Sequence, residues 1–377
     1  MAARVWHARS ARMVACAAVL AVTGLPSAVA QSPSATPYDV SLFKWAKTDD
    51  AEGFDQRPLL NELVVSVNGR VLLLGAVGTE AGPTPVVWGS DDGRTWSQLE
   101  GDLPDGTVAF DGVAAGDGFL VITTRGDGDA GQLFRSDGTR LEPVVQPGDD
   151  LIAIERSPVG VHMLDSGGLP TLWSSTDDAA TWTPGIITTD DALARHLAVT
   201  DDGTIVVVGV VRGEDRETPT AWSSADGGAT WHATTLPVEA GRWVIGDLGW
   251  TPIGMLTRVI DATQPDGPGV NMLSPDGITW ESTVETTGWG SVGSAGPEAI
   301  IFGTDAAWHS PDGVTWTEEW WPTLAGFDIV ASRQMPGGPV VAAGIQTAAP
   351  GSSATFVGAP APQVVPTAPI DLTSPAP

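Results

Sequence analysis

Cysteine is almost missing: the 377 residues contain one, Cys16, inside the N-terminal apolar run. No disulfide framework or thiolate site is therefore available to the rest of the chain. Lysine is nearly as scarce, with Lys44 and Lys47 the only two. Lys+Arg 18 stand against Asp+Glu 46, a net charge of -28. Nucleic acid is excluded as a partner on that balance, because phosphate binding needs neutralising cations. The single tyrosine is Tyr38. His162, His196, His232 and His309 lie far apart with no metal-ligand spacing. Nor is there a Gly-x-Ser-x-Gly elbow or a phosphate-binding glycine loop. No metal and no cofactor is expected.

The first 30 residues read as an address. Arg4, Arg9 and Arg12 precede an apolar run from Met13 to Val22, then Gly24-Leu25-Pro26 and the small-residue sequence Ala28-Val29-Ala30. That is the layout of a secretory signal peptide cut before Gln31, and the run is too short to span a bilayer. A secreted (extracellular) protein without membrane insertion is expected. Residues 31–39 form a linker, and residues 359–377 a disordered Pro/Ala-rich tail too poor in apolar bulk to bury anything.

Over the whole chain, glycine (46) and proline (30) are abundant, which suits many short strands. A pattern recurs as Trp88 to Trp96, Trp173 to Trp182, Trp222 to Trp231, Met272 to Trp280 and Trp308 to Trp316, each with Ser, Asp and a closing Thr-Trp. A decayed copy, Phe134 to Leu141, falls between the first two. The closing positions 96, 141, 182, 231, 280 and 316 are 45, 41, 49, 49 and 36 residues apart, the spacing of four-stranded propeller blades. Each copy reads as a hairpin. The Asp side chain accepts nearby backbone N–H groups, the Gly takes a positive φ, and Thr-Trp opens the outgoing strand.

Ahead of each hairpin lies an apolar strand pair: Leu63 to Gly75, Val113 to Thr124, Ile152 to Leu164, Leu197 to Gly209, Leu248 to Thr257, Val292 to Gly303 and Ile329 to Gly344. Seven units result, the last lacking its fourth strand. Val40 to Lys47 precedes the first unit and can supply it, closing the ring and removing exposed edges. The expected fold is all-β, a β-propeller of four-stranded blades over residues 40–358. Seven blades are favoured, with six as the alternative count, and an N-terminal strand closes the ring.

These segments resemble the Asp-box, or bacterial neuraminidase repeat, of sialidases, xyloglucanases and sorting-receptor propellers. The resemblance places the Asp-box on the hairpin between third and fourth strands, away from the ligand face. It implies structural roles for Asp92, Trp96, Asp177, Trp182, Asp226, Trp231, Asp276, Trp280, Asp312 and Trp316. Blades 2 and 3 depart from the pattern, with Leu141 where Trp is usual and Ala179 where Gly is usual. A sialidase would also need three arginines, an acid/base Asp and a late Tyr–Glu pair. Tyr38 is at the wrong end, and Gln56-Arg57-Pro58 matches the family's Arg motif only in part. No catalytic residue is assigned.

Tryptophans outside the repeat, Trp243, Trp289, Trp320 and Trp321, fall at interblade connections, where an indole can stack on a sugar or anchor a protein. Arg242 is the polar companion of Trp243. Acidic residues crowd the loops of the ligand face, including Asp127 and Asp129, Asp149 and Asp150, and Asp190 and Asp191; solvation is the favoured reading of that charge. A noncatalytic binding scaffold for an extracellular protein or glycan is the expected function. The alternative is a glycoside hydrolase with a carboxylate pair on the loop-rich face.

Overall fold

A computed structural model describes residues 43–48 and 58–360 apart from short internal segments. The segments read from sequence as signal peptide and linker, the residues beyond Pro360, Tyr38, Arg57 and Trp289 lie outside the described residues. Seven four-stranded antiparallel sheets form a seven-bladed β-propeller, with no helix among the described residues.

The chain opens with β1 (Phe43–Lys47), then makes blade 1 from β2 (Leu59–Val65), β3 (Val71–Thr79), β4 (Gly82–Ser90) and β5 (Ser97–Gln98). Blade 2 is β6 (Thr107–Ala115), β7 (Gly118–Arg125), β8 (Gln132–Ser136) and β9 (Leu141–Val144). Blade 3 follows as β10 (Leu151–Ser157), β11 (Gly160–Asp165), β12 (Thr171–Ser175) and β13 (Thr183–Ile186). Blade 4 is β14 (Ala192–Val199), β15 (Ile205–Arg212), β16 (Glu217–Ser224) and β17 (His232–Thr235). Blade 5 is β18 (Trp243–Thr251), β19 (Gly254–Asp261), β20 (Gly269–Ser274) and β21 (Glu281–Thr286). Blade 6 is the smallest: β22 (Val292–Ala295), β23 (Glu298–Phe302), β24 (Ala307–Ser310) and β25 (Thr317–Glu319). Blade 7 contains β26 (Phe327–Gln334), β27 (Val340–Gln346) and β28 (Ser353–Pro360), and takes β1 as its outer strand.

The ring closes as the N-terminal sequence suggests. β1 pairs antiparallel with β28 from Phe43↔Pro360 to Lys47↔Phe356, and the Thr48 amide adds a bond to the Thr355 carbonyl at 2.9 Å. β28 runs to Pro360, two residues into the segment read as tail.

Antiparallel order puts the first hairpin of each blade and, in blades 1 to 6, the hairpin between third and fourth strands on one face. The loops between second and third strands, and the interblade connections, lie on the other. The carboxylates of the repeated turns bond within those turns. Asp226 accepts from Ser224 Oγ (2.8 Å), the Thr230 amide (2.9 Å) and Thr230 Oγ1 (2.6 Å). The decayed copy keeps this geometry: Asp137 accepts the Thr139 amide at 2.8 Å and the Arg140 amide at 3.1 Å. Leu141, buried, stands where the others close on an indole. In blade 3, Asp178 and Ala179 adopt φ of 57° and 67° without glycine. That backbone is costly for a side chain. It is held by the Ala179 amide on Ser175 Oγ (2.9 Å) and by Arg135 of blade 2, whose Nη1 lies 2.8 Å from Asp178 Oδ2.

Each closing side chain packs in the cleft between its own blade and the one before. Trp96 joins the blade 7–1 cluster, Leu141 that of blades 1–2, Trp182 blades 2–3, Trp231 blades 3–4, Trp280 blades 4–5 and Trp316 blades 5–6. Blade 7 has no repeated turn of this kind and no closing indole. The blade 6–7 cleft is filled instead by Trp321, buried against Phe302 at a ring separation of 5.8 Å, with Leu324 and Phe356 beside it.

Candidate functional site

The inner strand of most blades carries a register break in its first half. It falls between Leu60 and Glu62, Ala109 and Asp111, Leu151 and Ala153, Ala194 and His196, Ile245 and Leu248, and Ile329 and Ala331. A bulge of this kind re-aims a side chain, and here polar side chains at or beside the break reach the next blade. Asn61 Nδ2 donates to the Ala109 carbonyl at 2.8 Å, and Asp111 Oδ2 accepts the Ile154 amide at 3.0 Å. His196 Nε2 donates to the Ile245 carbonyl at 3.3 Å, and Asp247 Oδ2 accepts the Val292 amide at 3.0 Å. Blade 7 returns to blade 1 through Arg333 Nη2 and Glu62 Oε1, 3.0 Å apart.

Glu62, Asp111, Glu155 and Asp247 thus gather around Arg333 on the inner strands that enclose the central channel. All are half-buried: water reaches them, while protein surrounds them. Burial, then the neighbouring Glu62 and Glu155, raises the Asp111 carboxyl well above the usual carboxylate range. Burial also pushes Glu155 up to about 7, with the Arg333 charge opposing and Glu62 adding to the rise. Arg333 is raised in turn, chiefly by Glu62. Across the sheet from Glu155, His162 is buried between Ser157 Oγ (2.8 Å) and Ser174 Oγ (2.9 Å), and burial lowers it to about 4. It is a neutral imidazole at pH 7. No three His, Asp or Glu side chains among the described residues come together as a metal-binding group.

None of the channel residues was singled out by sequence. The strand pairs were read as starting at Leu63, Val113, Leu197 and Leu248, whereas the inner strands start at Leu59, Thr107, Ala192 and Trp243. In blades 1, 2, 4 and 5 a polar residue at or beside the bulge (Glu62, Asp111, His196, Asp247) interrupts the apolar run, so the run reads as beginning after it, whereas Glu155 and Arg333 lie inside their strand pairs. The available signal was a polar residue just ahead of the apolar run in those four blades.

The tryptophans expected at the ligand face have different fates. Trp243 opens β18 half-buried, donating from Nε1 to the Glu239 carbonyl at 2.8 Å and packing on the blade 4–5 cluster. Arg242 beside it is exposed. Trp320 is 62% exposed, while its neighbour Trp321 is in the blade 6–7 core.

An open groove lies between blades 5 and 6, on the face of the Asp312 turn, with a volume of about 770 Å³. It follows from the shortest repeat, the 36 residues separating Trp280 and Trp316. The short strands of blade 6 leave only Leu256, Val292, Ala299 and Ile301 fully buried in that cleft. Ile253, Leu273, Val284 and Trp316 are consequently only partly covered and line the groove, with Val314, 85% exposed, at its lip. Glu281 and Asp312 are its charged groups. Asp312 is held below the usual carboxylate range by the Thr315 and Val314 amides, so it stays ionised.

No protein-family model matches the chain, and no curated protein matches it. Solved structures do resemble it. YCF48 bound to D1 peptide is 11% identical with a TM-score of 0.58, covering 86% of this chain and 97% of that one. A catalytically inactive virginiamycin B lyase from Staphylococcus aureus, with quinupristin, is 10% identical with a TM-score of 0.59, covering 84% and 99%. The GH74 xyloglucanase from Xanthomonas campestris is 13% identical with a TM-score of 0.50, covering 80% of this chain and 59% of that chain. At these identities the likeness is one of fold.

Proposed function

We propose that the chain is a secreted, noncatalytic binding propeller that captures an extracellular protein or glycan. The observation that carries this reading is the open groove between blades 5 and 6, whose mixed apolar and polar lining and half-covered Trp316 have the size and character of a recognition site. Exposed Trp320 and Arg242 add contact surface elsewhere on the rim. The Asp-box aspartates act as hydrogen-bond centres of their turns and the closing tryptophans as packing between blades. The channel carboxylates also serve the fold: both oxygens of Asp111 and of Asp247 accept backbone amides, and Glu62 shares Arg333. The fold itself does not choose, since it serves a protein with a bound peptide as well as a hydrolase.

The test is to incubate the protein without residues 1–30 on a glycan array and on an array of purified extracellular proteins. Saturable binding to members of either array, with the ligand recovered intact, is expected. Silence on both contradicts the reading.

One observation favours a second reading, hydrolysis of glycosides. With its carboxyl pushed up to about 7, Glu155 holds a proton near neutrality, as a general acid must.

A further inference from the structure

The groove between blades 5 and 6 is an open interblade cleft, and its lining restricts what fits. Its apolar surface is formed by Ile253, Leu273, Val284, Val314 and Trp316. Trp316 Nε1–H already donates to the Gly313 carbonyl at 3.0 Å, so the indole offers surface rather than a hydrogen bond. Sugars are gripped by several planar polar side chains around an aromatic platform. This groove offers threonine and serine hydroxyls and two carboxylates, Glu281 and Asp312. One wall belongs to β21, the outermost strand of its blade, paired with β20 on one side only. An edge of this kind accepts an extended peptide through main-chain bonds while alternate side chains enter the pocket. Charge settles the sign of the guest. The groove's charged groups are both anionic, Asp312 is held ionised, and the chain as a whole carries -28.

We propose that this groove binds an extended peptide segment of a partner protein that carries an apolar anchor flanked by lysine or arginine. The apolar side chain lies against Trp316, Leu273 and Val284, and the basic flank meets Glu281 and Asp312. The assignment rests on the reading of the chain as a binding propeller and names the partner class for it.

Fluorescein-labelled synthetic peptides of about a dozen residues, one series of leucine and lysine and one of leucine and glutamate, provide the probe, read by fluorescence anisotropy. The leucine–lysine series should bind, more weakly as NaCl is raised, and the leucine–glutamate series should not. Glu281→Lys and Val314→Arg should each weaken binding about tenfold or more. Both positions are exposed, so neither change disturbs the core, and an unaltered melting temperature verifies that. Lysine peptides that bind both variants as well as the wild type would overturn the groove assignment, because the net charge alone would then hold them. Equal binding of the glutamate series would overturn the charge assignment. A glycan-array signal without peptide binding would remove the peptide assignment and leave the scaffold reading intact. Glycoside turnover with no binding of either kind would remove both.

Discussion

Asp111 and Ile154 tie blade 2 to blade 3: Oδ2 of the aspartate accepts the isoleucine amide at 3.0 Å, while Oδ1 accepts the Gly112 amide at 2.7 Å. One side chain thus joins two inner strands at the channel wall. Asp111→Ala should leave the Ile154 amide without its partner and cost about 1–3 kcal/mol in chemical denaturation. Asp111→Asn retains an acceptor oxygen and relieves repulsion from Glu62 and Glu155, so it should cost less.

Stability should depend on pH with a maximum on the acid side. Glu155 titrates at about 7 when folded against an ordinary value of 4.5, and Asp111 is raised with it. The folded state therefore holds these protons longer than the unfolded chain does, and stability falls as pH rises from about 4.5 to 7. Asp137, Asp177 and Asp226 behave oppositely. Thr139, Thr181 and Thr230, through their hydroxyls and then their amides, hold them at about 2, so their contribution is lost as pH drops from about 4 towards 2. Melting temperature measured from pH 2 to 9 should peak between these windows. Glu155→Gln should flatten the slope on the neutral side and leave the acid limb unchanged.

The closing tryptophans should be unequal. Trp280 is 6% exposed between blades 4 and 5, and its replacement by alanine should cost about 3–5 kcal/mol. Trp316, half-covered at the groove, should cost about 1–2 kcal/mol. Equilibrium unfolding of both variants decides this, and equal losses would mean that the groove is packed in solution.

Removing residues 38–47 strips β1 from β28 and exposes an edge strand. A sharp fall in melting temperature and the appearance of aggregates in size-exclusion chromatography are expected. An unchanged melt would show that the ring is closed some other way.

The architecture was legible because six of the seven blades repeat an aspartate-centred turn, closed in five of them by an indole, whose positions depend on neighbours close in sequence. Even the decayed copy at Asp137 folds like the rest, since the carboxylate needs only the next few amides. The candidate sites were less legible for two physical reasons. Glu62, Asp111, Glu155, Asp247 and Arg333 come from different blades, and only ring closure brings them together. Trp321 looked like a rim contact because, although the seventh unit visibly lacks the repeated turn and its indole, nothing local shows that a residue after blade 6 fills the cleft this leaves. The groove was latent in the 36-residue spacing between Trp280 and Trp316, but a short repeat becomes an opening only when full-sized blades stand on either side.

Binding and hydrolysis separate most directly at Glu155. The measurement is the rate of fluorophore release from a panel of fluorogenic glycosides by the wild type and by Glu155→Gln at pH 5 to 7. No release above the Glu155→Gln background is predicted. Turnover by the wild type that disappears in the variant would contradict the account.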